Sequence, residues 1–140
     1  MLFKIPPPVP DFYRLGEIVQ AYQGARLDYV ERRPLEVVVV RRPGQTPVAN
    51  DVVHRWDLVP DAGPLAGLHA ALNGAPGATL AVLAVDLPAM DAAWFHWLAG
   101  HSQPGGGAIA RHTDGFEPLA AIYPPTALAL VNEHLSAGDR

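Results

Sequence analysis

The sequence predicts a three-layer α/β domain with a mostly parallel sheet. Two continuous apolar runs, LEVVVV (35–40) and TLAVLAV (79–85), are typical of strands that are buried on both faces. Segments with helical spacing of apolar residues separate and follow these runs, so strands and helices alternate along the chain. With 140 residues, 49% of them hydrophobic, we expect one compact domain over 1–140, with a divergent N-terminal segment over 1–34.

The N-terminal part has the least regular pattern. Residues 1–10 are rich in proline, which predicts an extended or irregular segment. From Phe12 to Tyr22 the apolar residues recur at helical spacing, interrupted by Gly16, and predict a helix. The first buried strand follows at 35–40 and ends at the sequence RRPG.

The middle of the chain predicts a helix, a strand and a second helix. In PDAGPLAGLHAALNG, Pro64 suits a first helical turn and the pair 73–74 (Asn-Gly) ends the helix. After the strand TLAVLAV, Asp91 is placed to cap the next helix, and Gly100 to end it. We expect one side of that helix to carry Trp94, Trp97 and Leu98.

The C-terminal part predicts two short strands and a last helix. The strands lie around a turn in PGGGAIARHTDGFEPLAAIY. The three glycines of SQPGGGA follow a helix and lead into a strand, which is the reverse of the order in a phosphate-binding loop, so they indicate a connection. The last helix should turn Leu128, Val131 and Leu135 inward and end at Gly138.

Composition excludes several classes of function. The net charge is −4, and after Pro60 there are two Lys/Arg against seven Asp/Glu, so no concentrated basic face for nucleic acid is expected. No apolar run approaches the ~18 residues of a membrane span, and the N-terminus does not resemble a secretory signal. Cysteine is absent, which fits a cytoplasmic protein, and the six histidines have no metal-ligand spacing.

Asp86 is the residue most suggestive of chemistry. It ends the apolar run 80–85 and is followed by Leu87-Pro88. Ligands of open α/β sheets bind beyond the carboxyl ends of the strands, where one carboxylate can anchor Mg²⁺ that is also held by phosphate. The alternative is a loop aspartate that bonds to backbone amides at the start of the next helix. The residues alone leave both possibilities open.

Three blocks in register resemble a known family. PDAGPLAGLHAAL, LAVLAVDLPAMD and EPLAAIYPPTALALVNEHLSAGDR are similar to segments of the molybdenum cofactor guanylyltransferases over roughly residues 35–140. That resemblance implies the Rossmann-like sheet of the nucleotide-diphospho-sugar transferase type. It also implies transfer of GMP from GTP to molybdopterin with Mg²⁺, with release of pyrophosphate.

The resemblance also implies a set of site residues. Asp86 matches the catalytic aspartate that holds Mg²⁺, and Asp61 matches a carboxylate at the nucleotide-binding end of the site. The turn and helix start over the nucleotide match Gly63, Pro64, Leu65 and Gly67. The acceptor-substrate side matches Glu117, Pro118 and Tyr123. Val40 stands where relatives can carry a nucleotide-contacting asparagine.

The sequence departs from the family pattern at both ends. The opening loop L-A-G-G-x-S-x-R-M-G-x-D-K has no match in these 140 residues, and the family's last strand and helix are missing after AGDR. We therefore expect a domain truncated at both ends. Two alternatives stay open. One is a related transferase acting on CTP or a sugar phosphate. The other is a non-catalytic fragment or binding module in a homo- or hetero-oligomer, which would use the Trp94/Trp97 region or a free sheet edge.

Overall fold

The described part of the computed structural model comprises residues 2–4, 36–45, 53–57, 59–87 and 90–140. Its strands are β1 (Leu2–Lys4), β2 (Glu36–Arg41), β3 (Val53–Trp56), β4 (Leu80–Leu83), β5 (Arg111–His112), β6 (Gly115–Phe116) and β7 (Ala120–Tyr123). Its helices are α1 (Gly63–Gly74), α2 (Ala92–His101) and α3 (Ala127–Ser136). The helix expected over Phe12–Tyr22 lies outside the described residues. Among the described helices, none combines the length and apolarity needed to cross a membrane.

Five strands form the main sheet in the order β3-β2-β1-β4-β7, while β5 and β6 form a separate hairpin. Strands β2 and β3 pair in parallel, whereas β1 is antiparallel to both β2 and β4. Strands β2, β3 and β4 therefore point the same way, and we call the side of the sheet where they end the carboxyl edge. Because β7 is also antiparallel to β4, pairing in the sheet is mixed rather than mostly parallel.

The short strand β1 occupies the centre of the sheet. Leu2 pairs with Val38 on one side and with Val82 on the other, so β1 bridges the two buried strands. Its direction is opposite to theirs. The amino end of β1 consequently lies at the carboxyl edge, and its own carboxyl end lies at the opposite side of the sheet.

Apolar residues of β4 face both ways into two core clusters, as expected for a strand buried on both faces. Leu80 and Val82 pack in the cluster with α1 and α3, and Ala81 and Leu83 pack in the cluster with α2. The three-layer α/β architecture is thus confirmed. The strand ends at Leu83, earlier than the apolar run implies, because the chain turns at 85–86 and leaves Val85 40% exposed.

Helix α2 starts where the sequence predicts and buries a different side. The Asp91 side chain accepts a hydrogen bond from the Trp94 N–H at 3.1 Å, which confirms the predicted cap. The buried stripe consists of Ala92, Phe95 and Leu98, spaced by three residues. The expectation that Trp97 shares the side of Leu98 was wrong, since Trp97 is 51% exposed and stacks on Trp94.

Helix α3 covers α1 and ends as predicted. Val131 is buried, and both Leu128 and Leu135 pack against the same cluster. Gly138 has φ +86° and its N–H donates to the Leu135 carbonyl, which is the left-handed stop that glycine favours.

Candidate functional site

Asp86 lies in the turn that follows β4, at the carboxyl edge. After β4, the Ala84 N–H donates a hydrogen bond to the Leu119 carbonyl at 2.8 Å. The Leu87 N–H then donates to the Ala84 carbonyl at 3.3 Å, which closes the turn that contains Asp86. The Asp86 side chain is exposed, and in the described part of the chain no hydrogen bond or ion pair engages its carboxylate. Asp91, not Asp86, caps the next helix. The arrangement therefore favours a carboxylate that is open to a ligand.

The loop from β3 to α1 approaches the same edge. Asp57 follows β3 directly, and its N–H donates to the Arg41 carbonyl at the end of β2 at 2.9 Å. Its carboxylate accepts the Val59 N–H at 3.2 Å, which holds the start of the loop in a turn. Sequence reasoning missed Asp57 because HRW is too short and too polar to be recognised as a strand, and the only signal was its position directly before a turn-rich loop.

The turn before α1 brings Asp61 and Gly63 to the start of the helix. Their φ values are +58° and +59°, with −89° at Ala62 between them. When positive and negative φ values alternate in this way, successive backbone N–H groups can point toward one anion. Helix α1 has no side-chain cap at Ala62, and Pro64 occupies its first turn. The exposed amino end of α1 is therefore suited to a negatively charged group.

Two of the predicted turn residues have different surroundings. Leu65 packs against the cluster that joins α1 to α3, so it contributes to the core of the domain. Gly67 is half-buried, and a Cβ added there would meet no atom within 4 Å. Among the four predicted turn residues, Gly63 and Pro64 are thus the exposed ones.

Arg41 ends β2 across β1 from Asp86. Because Val38 and Val82 both pair with Leu2, Arg41 is in line with the turn that carries Asp86. Two strand spacings, about 10 Å, separate the ends of β2 and β4. The carboxyl edge therefore has a cation on one side of β1 and a carboxylate on the other.

The predicted acceptor-side residues come together next to β7. The Tyr123 hydroxyl donates to the Pro118 carbonyl at 2.8 Å, and a Glu117 carboxylate oxygen accepts the Leu119 N–H at 3.3 Å. Burial, and then the negative charge of Glu117, raise the pKa of the Tyr123 phenol above its ordinary value of 10.0. Glu117 and Pro118 precede β7 near the carboxyl edge, whereas the Tyr123 backbone pairs with Leu80 at the far end of β4.

The donor set at Asp86 fits a magnesium ion that a substrate brings with it. No cluster of three or more His, Cys, Asp or Glu side chains arranged to hold a metal occurs among the described residues. Mg²⁺ commonly takes only one or two carboxylates and fills its octahedron with phosphate oxygens and water. A single exposed aspartate meets that requirement.

Residues 16–140 match the family described as MobA-like NTP transferase domain. The chain belongs to this family. The predicted resemblance to the molybdenum cofactor guanylyltransferases is confirmed by relatives that carry that name.

Relatives match about half of their own length. Over 107 residues the chain is 50% identical to "Probable molybdenum cofactor guanylyltransferase" of Opitutus terrae, covering 74% of this chain and 53% of that protein. It is 31% identical over 84 residues to "Molybdenum cofactor guanylyltransferase" of Syntrophotalea carbinolica, covering 59% of this chain and 40% of the relative. The chain therefore spans about half the length of the curated relatives it matches.

Solved structures share the fold. Molybdopterin-guanine dinucleotide biosynthesis protein A from Archaeoglobus fulgidus aligns with a TM-score of 0.53 and 28% identity, over 65% of this chain and 46% of that one. A protein from Aquifex aeolicus VF5 aligns with a TM-score of 0.62 over 98% of this chain and 74% of that one. At 19% identity the second likeness shows the fold alone.

Proposed function

We propose that this domain binds GTP with Mg²⁺ at the carboxyl edge and transfers GMP to molybdopterin, releasing pyrophosphate. The observation that carries the proposal is the exposed Asp86 carboxylate, at the end of a buried strand, in a chain of the MobA-like family. The names of the relatives support the substrates. In the same proposal, residues 1–140 contribute one catalytic domain.

Each part of the edge would have its own task in this reaction. Asp86 would hold Mg²⁺, which supplies neutralisation of the negative charge on the phosphoryl oxygens. Asp61, Gly63 and Pro64 would form the wall along the nucleotide, with Leu65 and Gly67 shaping the helix behind it. An acceptor oxygen attacks the α-phosphorus in line with the departing pyrophosphate.

The acceptor would enter from the β7 side. Glu117 and Pro118 lie at the carboxyl edge near the Ala84–Leu119 hydrogen bond, and the Tyr123 hydroxyl holds the Pro118 carbonyl. The Glu117 carboxylate offers hydrogen-bond acceptors to a polar heterocycle such as a pterin, and the Tyr123 oxygen, whose proton is donated to Pro118, can accept one more hydrogen bond. These three residues would therefore position the acceptor and leave the metal to Asp86.

One observation favours a second candidate, a domain that binds nucleotide without transferring it. Strand β1 is reversed, so its amino end lies at the carboxyl edge and its carboxyl end lies at the opposite side of the sheet. A loop that follows β1 directly would then start away from the triphosphate. Such a domain would retain the Asp86 anchor and lose turnover.

Transfer is tested by incubating the purified chain with GTP, molybdopterin and Mg²⁺ and measuring pyrophosphate release together with nucleotide-linked pterin. We expect product with GTP, a loss of roughly 100-fold or more in Asp86→Asn, and no loss in Asp114→Asn, which changes an exposed aspartate in the β5–β6 turn. Faster turnover of CTP than of GTP would identify a different nucleotide specificity. GTP binding without product would establish the non-catalytic candidate.

A further inference from the structure

Arg41 is a buried cation without a counter-ion among the residues that the structure describes. Its side chain is 8% exposed, and in the described part of the chain no carboxylate lies at salt-bridge distance from it. Its Nη1 donates to the Gln45 carbonyl at 2.6 Å, while its Nε–H is buried and has no acceptor within residues 2–4, 36–45, 53–57, 59–87 and 90–140. Among the described residues, the positive charge of Arg41 therefore has no paired anion and its Nε–H has no hydrogen-bond acceptor.

A buried guanidinium without these partners lowers the stability of the folded chain unless a ligand pairs with it. Moving a guanidinium out of water without a paired anion is unfavourable, and so is an unpaired buried donor. The Trp56 ring lies 4.9 Å from the Arg41 guanidinium carbon and offsets part of the cost. A ring occupies the face of the guanidinium, whereas the N–H donors lie in its plane, so stacking leaves those donors for an anion.

The position of Arg41 specifies which anion would complete it. Arg41 ends β2 at the carboxyl edge, opposite Asp86 across β1, and Trp56 is 48% exposed beside it. After Pro60 the sequence contains only two arginines or lysines, of which Arg140 lies against Gly63 at the start of α1. A phosphate group matches the planar donors of a guanidinium in both charge and geometry.

We propose that Arg41, stacked under Trp56, forms a phosphate-binding site at the carboxyl edge. The Arg41 guanidinium donates to a phosphoryl oxygen of the nucleotide, from the side of β1 opposite to Asp86. The identity of the nucleotide rests on the proposed function, whereas the phosphate site itself does not.

Pyrophosphate without divalent metal is the direct probe, because it tests Arg41 apart from Asp86 and from the base. In calorimetric titrations we expect binding to the wild-type chain and at least tenfold weaker binding to Arg41→Met. Arg41→Lys should be intermediate, since it keeps the charge and loses the planar donors. The matched control is Arg42→Gln, which removes the neighbouring exposed arginine and should bind as the wild type does.

Thermal stability separates a ligand-binding role from a structural one. Arg41→Met removes an uncompensated charge, so without ligand it should melt at or above the wild-type temperature, and pyrophosphate should raise the melting temperature of the wild type alone. If Arg41→Met does not fold, the decisive readout is tryptophan emission. Pyrophosphate should then change the emission of the wild type but not that of Trp56→Phe.

Two results would overturn the phosphate site: no heat and no change in emission when the wild type is titrated with pyrophosphate, or equal binding to the wild type and the Arg41 variants. GTP titrations with Mg²⁺ distinguish this failure from failure of the proposed function. Binding that needs Asp86 and ignores Arg41 would uphold the nucleotide proposal alone. Binding of pyrophosphate through Arg41, with no response to GTP and Mg²⁺, would uphold the phosphate site alone.

Discussion

At the scale of single residues, Asp86 and Asp91 show how position assigns different tasks to the same side chain. The Asp91 carboxylate accepts a backbone N–H and holds the first turn of α2. Asp86, in the turn after β4, is exposed, and within the described residues its carboxylate is not engaged. The first therefore contributes to stability, and the second is available for binding.

Removing the cap should cost stability and leave binding intact. Asp91→Ala loses the acceptor for the Trp94 N–H, so we expect the free energy of unfolding to fall by about 1 kcal/mol. Urea unfolding measures the change. Asp91→Asn retains a side-chain oxygen and should stay close to the wild type, and equal losses in both variants would argue against capping.

Tyr123 should make stability depend on alkaline pH. Burial and Glu117 raise the pKa of its phenol, so the folded chain holds the phenolic proton more tightly than the unfolded chain does. The resulting stability is complete below the unfolded pKa near 10.0 and is lost as pH rises through the higher, folded pKa.

Tyr123→Phe tests this linkage. The variant loses the hydrogen bond to the Pro118 carbonyl, about 1 kcal/mol at neutral pH, and should lose less further stability than the wild type when the pH is raised above 10. Urea unfolding at pH 7 and at pH values above 10 compares the two chains. If the free energy of unfolding falls by the same amount in both chains when the pH is raised, Tyr123 is not the cause of the pH dependence.

At the scale of elements, the sequence predicted most of what depends on local pattern. The starts of α1 and α2 and the end of α3 follow from Pro64, Asp91 and Gly138, which act within one turn of the backbone, whereas α2 continues through Gly100, its predicted end, to His101. The direction of β1 could not be predicted, because three residues carry no periodicity and strand direction is decided by pairing partners distant in the chain. The exposure of Trp97 could not be predicted for a similar reason, because it depends on Phe95 filling the core cluster beneath α2.

Helix α2 is fixed to the sheet chiefly through Phe95. This side chain is fully buried in the cluster with Leu83 and Leu98, so Phe95→Ala should destabilise the domain by roughly 3–5 kcal/mol. Trp97→Ala, on the exposed side of the same helix, should cost less than about 1 kcal/mol. Thermal and urea unfolding measure both, and equal losses would contradict the assigned orientation of α2.

The reversed strand β1 makes a prediction about the backbone. Phe3 pairs with Val37 and Ala81, so a proline there removes a ladder hydrogen bond in the middle of the sheet. Phe3→Pro should lower the free energy of unfolding by at least ~2 kcal/mol, whereas Phe3→Leu retains the N–H and should lose less. Unchanged stability in Phe3→Pro would show that β1 does not hold the centre of the sheet.

At the scale of the whole molecule, the carboxyl edge brings together groups from three strands. Asp86 follows β4, the turn at 61–63 follows β3, and Arg41 ends β2, so three parallel strands deliver a carboxylate, a helix start and a cation to one edge. The sequence predicted the position of Asp86 because it follows a recognisable apolar run, and the turn at 61–63 because it precedes a recognisable helix. Arg41 was missed because its significance lies in burial, which no local pattern reveals.

Calorimetric titration with GTP tests the proposal that Asp86 anchors a nucleotide through Mg²⁺ at this edge. We expect binding that requires Mg²⁺ and weakens roughly 10- to 100-fold in Asp86→Asn, while Asp114→Asn binds as the wild type does. Binding of equal strength with and without Mg²⁺, or equal binding by Asp86→Asn and the wild type, would contradict it. A folded wild-type chain that gives no heat with GTP and Mg²⁺ would contradict it as well.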